Sequence, residues 1–445
     1  MSDKARVRWF GVMAIAGTIV CASACDDGGG GTRPSDAGTS PDGAGETDAQ
    51  AVSACAADES APVPSSRCST DVCRQWQKVE PPGAQCSNGS QYKFFVNYSE
   101  TSNNVVLMFE GGGACWDYAS CSGGARGAAN KNGIPDTHMA RSQFLNLLRR
   151  DPQNPLQDWN MVYVPYCTGD VHTGDKVATY ENPDGGAALT YRHLGHANTS
   201  AVIAWMKAQF SDVPKLLVTG YSAGGIGALQ NYHDVRAGLP GVQCSYLLDD
   251  SGPAFHSAGP SRQVQAVTRG AWGIEALLDG LESELALEAG ELRDDAARLN
   301  TALADKYPKD RLAMTVYEMD LNFSLYSYER FFPGISEAEV HAKWSGELDT
   351  LLETYATRAN LSYYVPYFRS DNCSHCVTIP PIGHPDDVIL STPWLGTDIE
   401  QEHINLRDYI ELLIDDKRPL RSYREAVQSG ESFSADASAK CMSPT

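Results

Sequence analysis

The sequence predicts an α/β fold with a mostly parallel central sheet and helices on both faces, and three observations predict it. Short apolar runs alternate with helical stretches through most of the chain. Most of those runs are continuous, the pattern of strands covered on both faces. One of them leads directly into Gly220-Tyr221-Ser222-Ala223-Gly224, a glycine-flanked turn between a predicted strand and a predicted helix. In chain order, the apolar run Val105 to Phe109 reads as a strand and Arg141 to Leu148 as a helix. Met161 to Pro165 is the next strand, followed by a helix at Thr199 to Phe210. Lys215 to Thr219 is the strand that feeds the serine turn, and Gly225 to Arg236 is the helix that leaves it. Ser245 to Leu248 is a further strand, with helices expected at Trp272 to Leu281 and Glu282 to Lys306. The strands Ala313 to Tyr317 and Ser362 to Tyr367 flank a helix at Ser336 to Arg358, and Ile404 to Leu413 is the last helix.

Composition bounds what the chain does. With 445 residues, 42% of them hydrophobic, it can bury a sizeable core. A net charge of −21 argues against nucleic acid or an anionic membrane surface as the main partner, because both are bound by Lys and Arg neutralising phosphate. Residues 1–24 read as an export signal: Lys4, Arg6 and Arg8 precede the apolar run Trp9 to Val20, which is too short for a permanent membrane span. Ala22-Ser23-Ala24-Cys25 resembles a lipoprotein cleavage box, which makes Cys25 the expected lipid-anchor cysteine. The expected location is therefore the cell envelope, with plain secretion as the alternative. Residues 25–66 are rich in Gly, Ala, Ser, Asp and Pro and read as a tether, the folded domain spans 72–427, and 428–445 is a polar tail.

Thirteen cysteines in an exported chain suggest disulfides. Local spacing favours Cys115 with Cys121. Cys167 with Cys244 is a second candidate pair, since each adjoins a predicted strand. Cys373-Ser374-His375-Cys376 lacks the second paired set that a structural zinc site needs, so disulfide bonding of one or both cysteines is expected there and no metal.

The serine turn carries the chemistry. Two small residues flanking a serine let the backbone bend sharply between strand and helix, which exposes the Ser222 hydroxyl and aims the Ala223 N–H at a reacting carbonyl. That is the nucleophile mount of α/β-hydrolases, so the expected fold is α/β-hydrolase-like. Glu110-Gly111-Gly112-Gly113-Ala114-Cys115 follows a strand and can supply further N–H donors, from Gly112 and Gly113, to an oxyanion. The orienting acid should come after the nucleophile and before the base. Asp320 closes the run Ala313 to Met319 and is the first choice; Asp249 and Asp250, after Ser245 to Leu248, are its rivals. His375 follows the last strand on a loop that the neighbouring cysteines could pin, and is the expected base. His384 and His403 stand behind it; His172, His193, His196 and His233 precede the acid or lie on expected helices.

Taken together, Glu110 to Trp116, Val164-Pro165-Tyr166-Cys167-Thr168-Gly169-Asp170, Gly220 to Gly227 and Asn372 to Cys376 resemble the pectin acetylesterase family, which also includes the Notum carboxylesterases. The resemblance runs from about Trp76 to Leu412. It implies Ser222 as nucleophile, Asp320 as acid and His375 as base, and it implies a disulfide after the glycines, in accord with Cys115 and Cys121. Many members carry Trp directly after the glycines, whereas this chain has Gly113-Ala114 and reaches Trp116 only after Cys115, so its acyl pocket is expected to differ in shape.

The function so expected is serine carboxylester hydrolysis, with acetyl esters on carbohydrate foremost and no cofactor. Pectin would need basic residues such as Arg126, Lys131 or Arg369 in the groove to offset the acidic chain. A lipase-like or acyl-protein esterase with a longer acyl pocket is the alternative enzyme, and an inactive surface binding protein of the same fold is the alternative class.

Overall fold

The computed structural model describes residues 55–64, 67, 72–124, 129–369, 374–380 and 386–426. The expected signal at 1–24, Cys25, most of the tether, the tail, and Arg126, Cys373 and His384 lie outside the described residues.

Strands β1 (Trp76–Val79), β2 (Phe94–Asn97) and β3 (Val105–Phe109) come first, then the one-turn helix α1 (Tyr118–Cys121) and β4 (Asn160–Val164). A hairpin, β5 (Lys176–Tyr180) and β6 (Leu189–His193), stands apart as a two-stranded sheet. Next come α2 (Gly195–Gln209), β7 (Val213–Tyr221), α3 (Ala223–Gly238) and β8 (Val242–Asp250). Helices α4 (Arg262–Trp272), α5 (Glu275–Glu284), α6 (Glu291–Asp294) and α7 (Arg298–Lys306) precede β9 (Arg311–Thr315). The chain continues through α8 (Leu321–Tyr328), α9 (Glu337–Tyr355), β10 (Leu361–Val365), α10 (Asp386–Ser391), α11 (Leu406–Leu413) and β11 (Tyr423–Arg424).

Nine strands form one sheet in the order β1-β2-β4-β3-β7-β8-β9-β10-β11. The pairings of β2 with β1 and β4 are antiparallel, and every pairing from β4 to β11 is parallel. All five residues of β3 and of β4 are buried, as the continuous apolar runs demanded. Register decides where the site falls. Phe109 pairs with Gly220, Tyr221 with Asp250 and Asp250 with Thr315, so the carboxyl ends of four neighbouring strands lie along one edge. Ligand sites of open α/β sheets sit outside that edge.

All six expected strands are present. The expected helix at Arg141 to Leu148 is not an α-helix: two 3-10 segments, His138–Phe144 and Asn146–Leu148, are separated by an extended Leu145, and no side chain caps the first. The stretch expected to be helical from Trp272 to Lys306 is broken three times. Gly273 ends α4 in the left-handed region at φ 67°, Ala286 (φ 57°) and Gly290 (φ 92°) lie in the gap between α5 and α6, and an extended Asp295 ends α6. The buried Glu282 carboxylate fixes the second break by accepting from the N–H groups of Gly290 (2.8 Å) and Leu292 (2.9 Å). By contrast, α9 begins where expected, because Ser336 and Glu339 form a reciprocal cap.

The disulfides correct one expected pair. Cys115 bonds Cys121, but Cys167 bonds Cys86 and Cys244 bonds Cys55. Cys167 follows β4 and Cys244 lies in β8, with β3 and β7 between them. Three strand spacings of about 4.8 Å put those positions beyond the ~7 Å Cα reach of a disulfide. The Cys55–Cys244 bridge spans 189 residues, and chain entropy alone assigns such a closure about 5 kcal/mol. Cys376 is a free, buried thiol rather than a disulfide partner.

Candidate active site

Ser222 stands between β7 and α3 at φ 56°, ψ −122°, a left-handed conformation that non-glycine residues adopt only when their surroundings enforce it. Its N–H donates to the Asp250 carbonyl at 2.7 Å, and its own carbonyl accepts from Gly225 and Ile226. The flanking glycines are obligatory. A Cβ on Gly220 would lie 2.1 Å from the Gly224 carbonyl oxygen, and one on Gly224 would lie 2.1 Å from that of Phe109. The turn is therefore pressed against β3, with Ser222 half-exposed above buried neighbours.

The glycine loop leaves β3 beside it. Glu110 anchors it three ways: its carboxylate accepts from the Tyr166 N–H at 2.7 Å and pairs with His138 Nε2 at 2.8 Å, while its carbonyl accepts from His172 Nε2 at 2.8 Å. Gly112 and Gly113 have φ 140° and 73°, backbone that favours glycine. The N–H groups of Gly112, Gly113 and Ala223 meet no acceptor among the described residues. Cys115–Cys121 closes the far end of the loop, and Trp272 Nε1 donates to the Cys115 carbonyl at 2.7 Å.

Asp320 and His375 meet directly. Asp320 caps α8 by accepting the Phe323 N–H on Oδ1 at 2.8 Å, which leaves Oδ2 to accept from His375 Nδ1 at 2.7 Å. Asp320 is fully buried, and the His375 ring is 11% exposed. Burial pulls the His375 pKa down, but the Asp320 charge and hydrogen bond, with the more remote Asp250, outweigh it and raise the pKa above its ordinary value. With Nδ1 committed to Asp320, Nε2 is the nitrogen left for proton exchange. No hydrogen bond joins Ser222 Oγ to His375 among the described residues, while the neighbouring Cys376 sulfur lies against the Ser222 N–H. Catalytic hydrogen bonds are often long before substrate binds.

The rivals take other places. Asp250 does not touch His375; its carboxylate accepts from Val377 and Thr378 on the following loop. Asp249 is buried, and among the described residues no donor reaches either oxygen in full bonding geometry; burial, then the Asp250 charge, raises its pKa to about 8, with the Gly252 N–H working against them. His403 is exposed at the end of a 3-10 turn. His172 and His193 are buried, and burial lowers both to about 4, which suits neutral structural imidazoles. Arg369, considered for an anionic substrate, instead pairs with the buried Glu425 at 3.0 Å. Lys131 donates to the Ser122 carbonyl at the rim of the disulfide loop. Among the described residues one grouping has metal-ligand proximity, Cys115, Cys121 and His193, but both sulfurs form the disulfide and both ring nitrogens are engaged, by Thr168 O and Tyr180 Oη.

A largely apolar pocket opens beside the site, with about 870 Å³ of empty space including its mouth. Ile226, one turn beyond Ser222, and Phe323, whose ring lies 6.5 Å from that of His375, form part of its wall. Phe323, Trp272 and the anchoring role of Glu110 within its motif were not legible in the sequence, because each acts through contacts that no local motif encodes.

The sheet, the strand-edge position of Ser222 and the bonded Asp–His pair define an α/β-hydrolase-like protein. Residues 73–274 match the family model described as pectinacetylesterase. The matched span holds the glycine loop and Ser222 and ends before Asp320 and His375. Pectin acetylesterase 5 of Arabidopsis thaliana is 33% identical over 175 residues, 38% of this chain and 39% of the relative. Palmitoleoyl-protein carboxylesterase NOTUM of Homo sapiens is 27% identical over 172 residues, 37% of this chain and 33% of the relative. The chain thus spans about two fifths or less of the length of these two relatives. A solved structure of the Wnt deacylase Notum from Drosophila is similar in fold, with TM-score 0.52 and 17% identity over 78% of this chain and 95% of that one.

Proposed function

We propose that this chain is an exported serine carboxylesterase that removes acyl groups, foremost acetyl, from carbohydrate esters. The observation that carries the reading is the 2.7 Å bond from His375 Nδ1 to Asp320 Oδ2, at the same sheet edge as a serine held at φ 56°. In this mechanism Ser222 Oγ attacks the ester carbonyl carbon while His375 Nε2 takes the hydroxyl proton and the carbonyl π-electrons move onto oxygen. The N–H groups of Gly112, Gly113 and Ala223 hold that oxyanion. Collapse breaks the bond to the alkoxy oxygen, which leaves as the alcohol with the proton from His375. Water then repeats the sequence on the acyl-enzyme and releases the carboxylic acid. Asp320 keeps the imidazole in the tautomer that leaves Nε2 free and stabilises the imidazolium.

Export is supported by Cys55–Cys244, Cys86–Cys167 and Cys115–Cys121, since disulfides persist in oxidising compartments. Cys25 is proposed as the lipid anchor, with the tether behind it clearing the membrane. Metabolic labelling with radioactive palmitate should mark the wild type and spare Cys25→Ser; an unlabelled wild type leaves simple secretion.

A second reading, an esterase for longer acyl chains, is favoured by the apolar pocket at Ile226 and Phe323. Against it, Ser327 Oγ, Tyr326 Oη and Gln230 Oε1 belong to residues lining the pocket and are buried without partners among the described residues, an arrangement better matched by a hydroxylated ligand than by an alkyl chain. A p-nitrophenyl ester series from acetate to palmitate, run beside acetate release from acetylated polysaccharides, separates the two. Highest kcat/KM on acetyl with acetate release supports the first reading, and a maximum at long chains replaces it with the second.

A further inference from the structure

The loop that presents His375 is held by an internal acid. Asp250 Oδ1 accepts from the Val377 N–H at 2.8 Å and from Ser251 Oγ at 3.0 Å. Its Oδ2 accepts from the Thr378 N–H at 2.8 Å and from the Thr378 hydroxyl. Ser251 Oγ in turn accepts from the Cys376 N–H at 3.0 Å, so the three N–H groups directly after His375 all end on Asp250 or Ser251. On the other side, the Asp250 carbonyl accepts from the Ser222 N–H at 2.7 Å. Ser251 itself is held at φ 56°, with its N–H on the Thr315 carbonyl of β9 at 2.7 Å. All four partners of the Asp250 carboxylate donate to it, and these bonds work against the burial that raises its pKa.

We infer that Asp250, with Ser251, is the positioning residue that sets the distance between nucleophile and base, by bonding the backbone of Ser222 through its carbonyl and the His375 loop through its carboxylate. This rests on the serine-esterase reading above. Asp250 acts through other groups and touches neither substrate nor reacting atoms. Its charge also reaches the imidazole: the groups facing His375 are Asp320 at the N-terminus of α8, Asp250 at the end of β8 and the buried Cys376 thiol beside it. The two carboxylates raise the His375 pKa, so removing the Asp250 charge lowers it.

The test is steady-state kinetics of the full chain on p-nitrophenyl acetate, with active sites titrated so that kcat is expressed per competent site. Asp250→Asn should lower kcat about 100-fold, the loss expected from roughly 1 Å of misplacement. KM should stay within about twofold, since binding groups are untouched. The rising limb of the kcat/KM–pH profile should move to lower pH. Thr378→Val and Ser251→Ala, which keep the charge, should each lower kcat about fivefold with the limb unmoved, and Thr378→Ser should restore wild-type kcat. These milder variants decide the matter if Asp250→Asn fails to fold. Wild-type kcat per site in Thr378→Val and Ser251→Ala, or an Asp250→Asn whose only change is a smaller competent fraction, would overturn the inference. If instead the wild type has no esterase activity that Ser222→Ala abolishes, the esterase reading fails and not the assignment of the clamp.

Discussion

The proposed nucleophile half of the site and the proposed acid–base half are fixed by different means. Ser222 is held by a local device: two glycines within five residues, and a strand register that sets Phe109 beside Gly220. His375 is held by partners far away in sequence, Asp320 55 residues before it and Asp250 more than a hundred. The first half is a rigid turn that reads as a motif. The second is assembled only when β8, β9 and the loop after β10 come together; the family match includes β8 with Asp250 and ends before Asp320 and His375.

The comparison can be broken by taking one half away at a time. Ser222→Ala should lower kcat on an acyl ester by about 10⁶-fold, the loss seen when the nucleophile of such a unit is removed. A residual rate within about tenfold of wild type would mean that another group attacks. Asp320→Asn should cost about 10⁴-fold, because the amide favours the wrong imidazole tautomer. It should also shift the rising limb of the pH profile downward, since the Asp320 charge helps hold the His375 pKa above its ordinary value. An unshifted limb would separate the pair from the reaction.

The smallest effect sharpens the contrast between the two adjacent acids of β8. Asp250 has four donors; Asp249, whose oxygen would lie 2.4 Å from a Cβ on Gly225, has none in bonding geometry. In the folded protein Asp249 keeps its proton up to about pH 8, whereas an ordinary carboxyl loses it near 3.8. Between those values the unfolded state binds fewer protons, so this group's contribution to stability falls as pH rises. Asp249→Asn should therefore gain in thermal midpoint over the wild type on going from pH 5 to pH 8. An equal difference at both pH values would show that Asp249 is ionised in the fold.

What the sequence made legible follows the same division. The six strands could be read because buried strands are continuous apolar runs, and the run Ala313 to Met319 pointed to Asp320, which the structure sets against His375 from the N-terminus of α8, beyond the end of β9 at Thr315. The region Trp272 to Lys306 was misread because single left-handed residues, Gly273, Ala286 and Gly290, interrupt a helical composition. Cys167 with Cys244 failed because strand order, which sets their separation, is a tertiary property. Of the two cysteines expected to pin the His375 loop, Cys376 is a free thiol and Cys373 lies outside the described residues, while the N–H groups after His375 bond Asp250 and Ser251. Asp249-Asp250-Ser251 carried a signal, two acids closing an apolar strand, but not the distinction between an acid that orients a base and one that fastens its loop.

The most direct test of the central claim is mass spectrometry of the full chain after reaction with a fluorophosphonate, which labels only an activated serine. A single adduct is expected on the peptide containing Ser222, formed in the wild type and absent from Ser222→Ala. An unlabelled wild type, or equal labelling of both proteins, would contradict it.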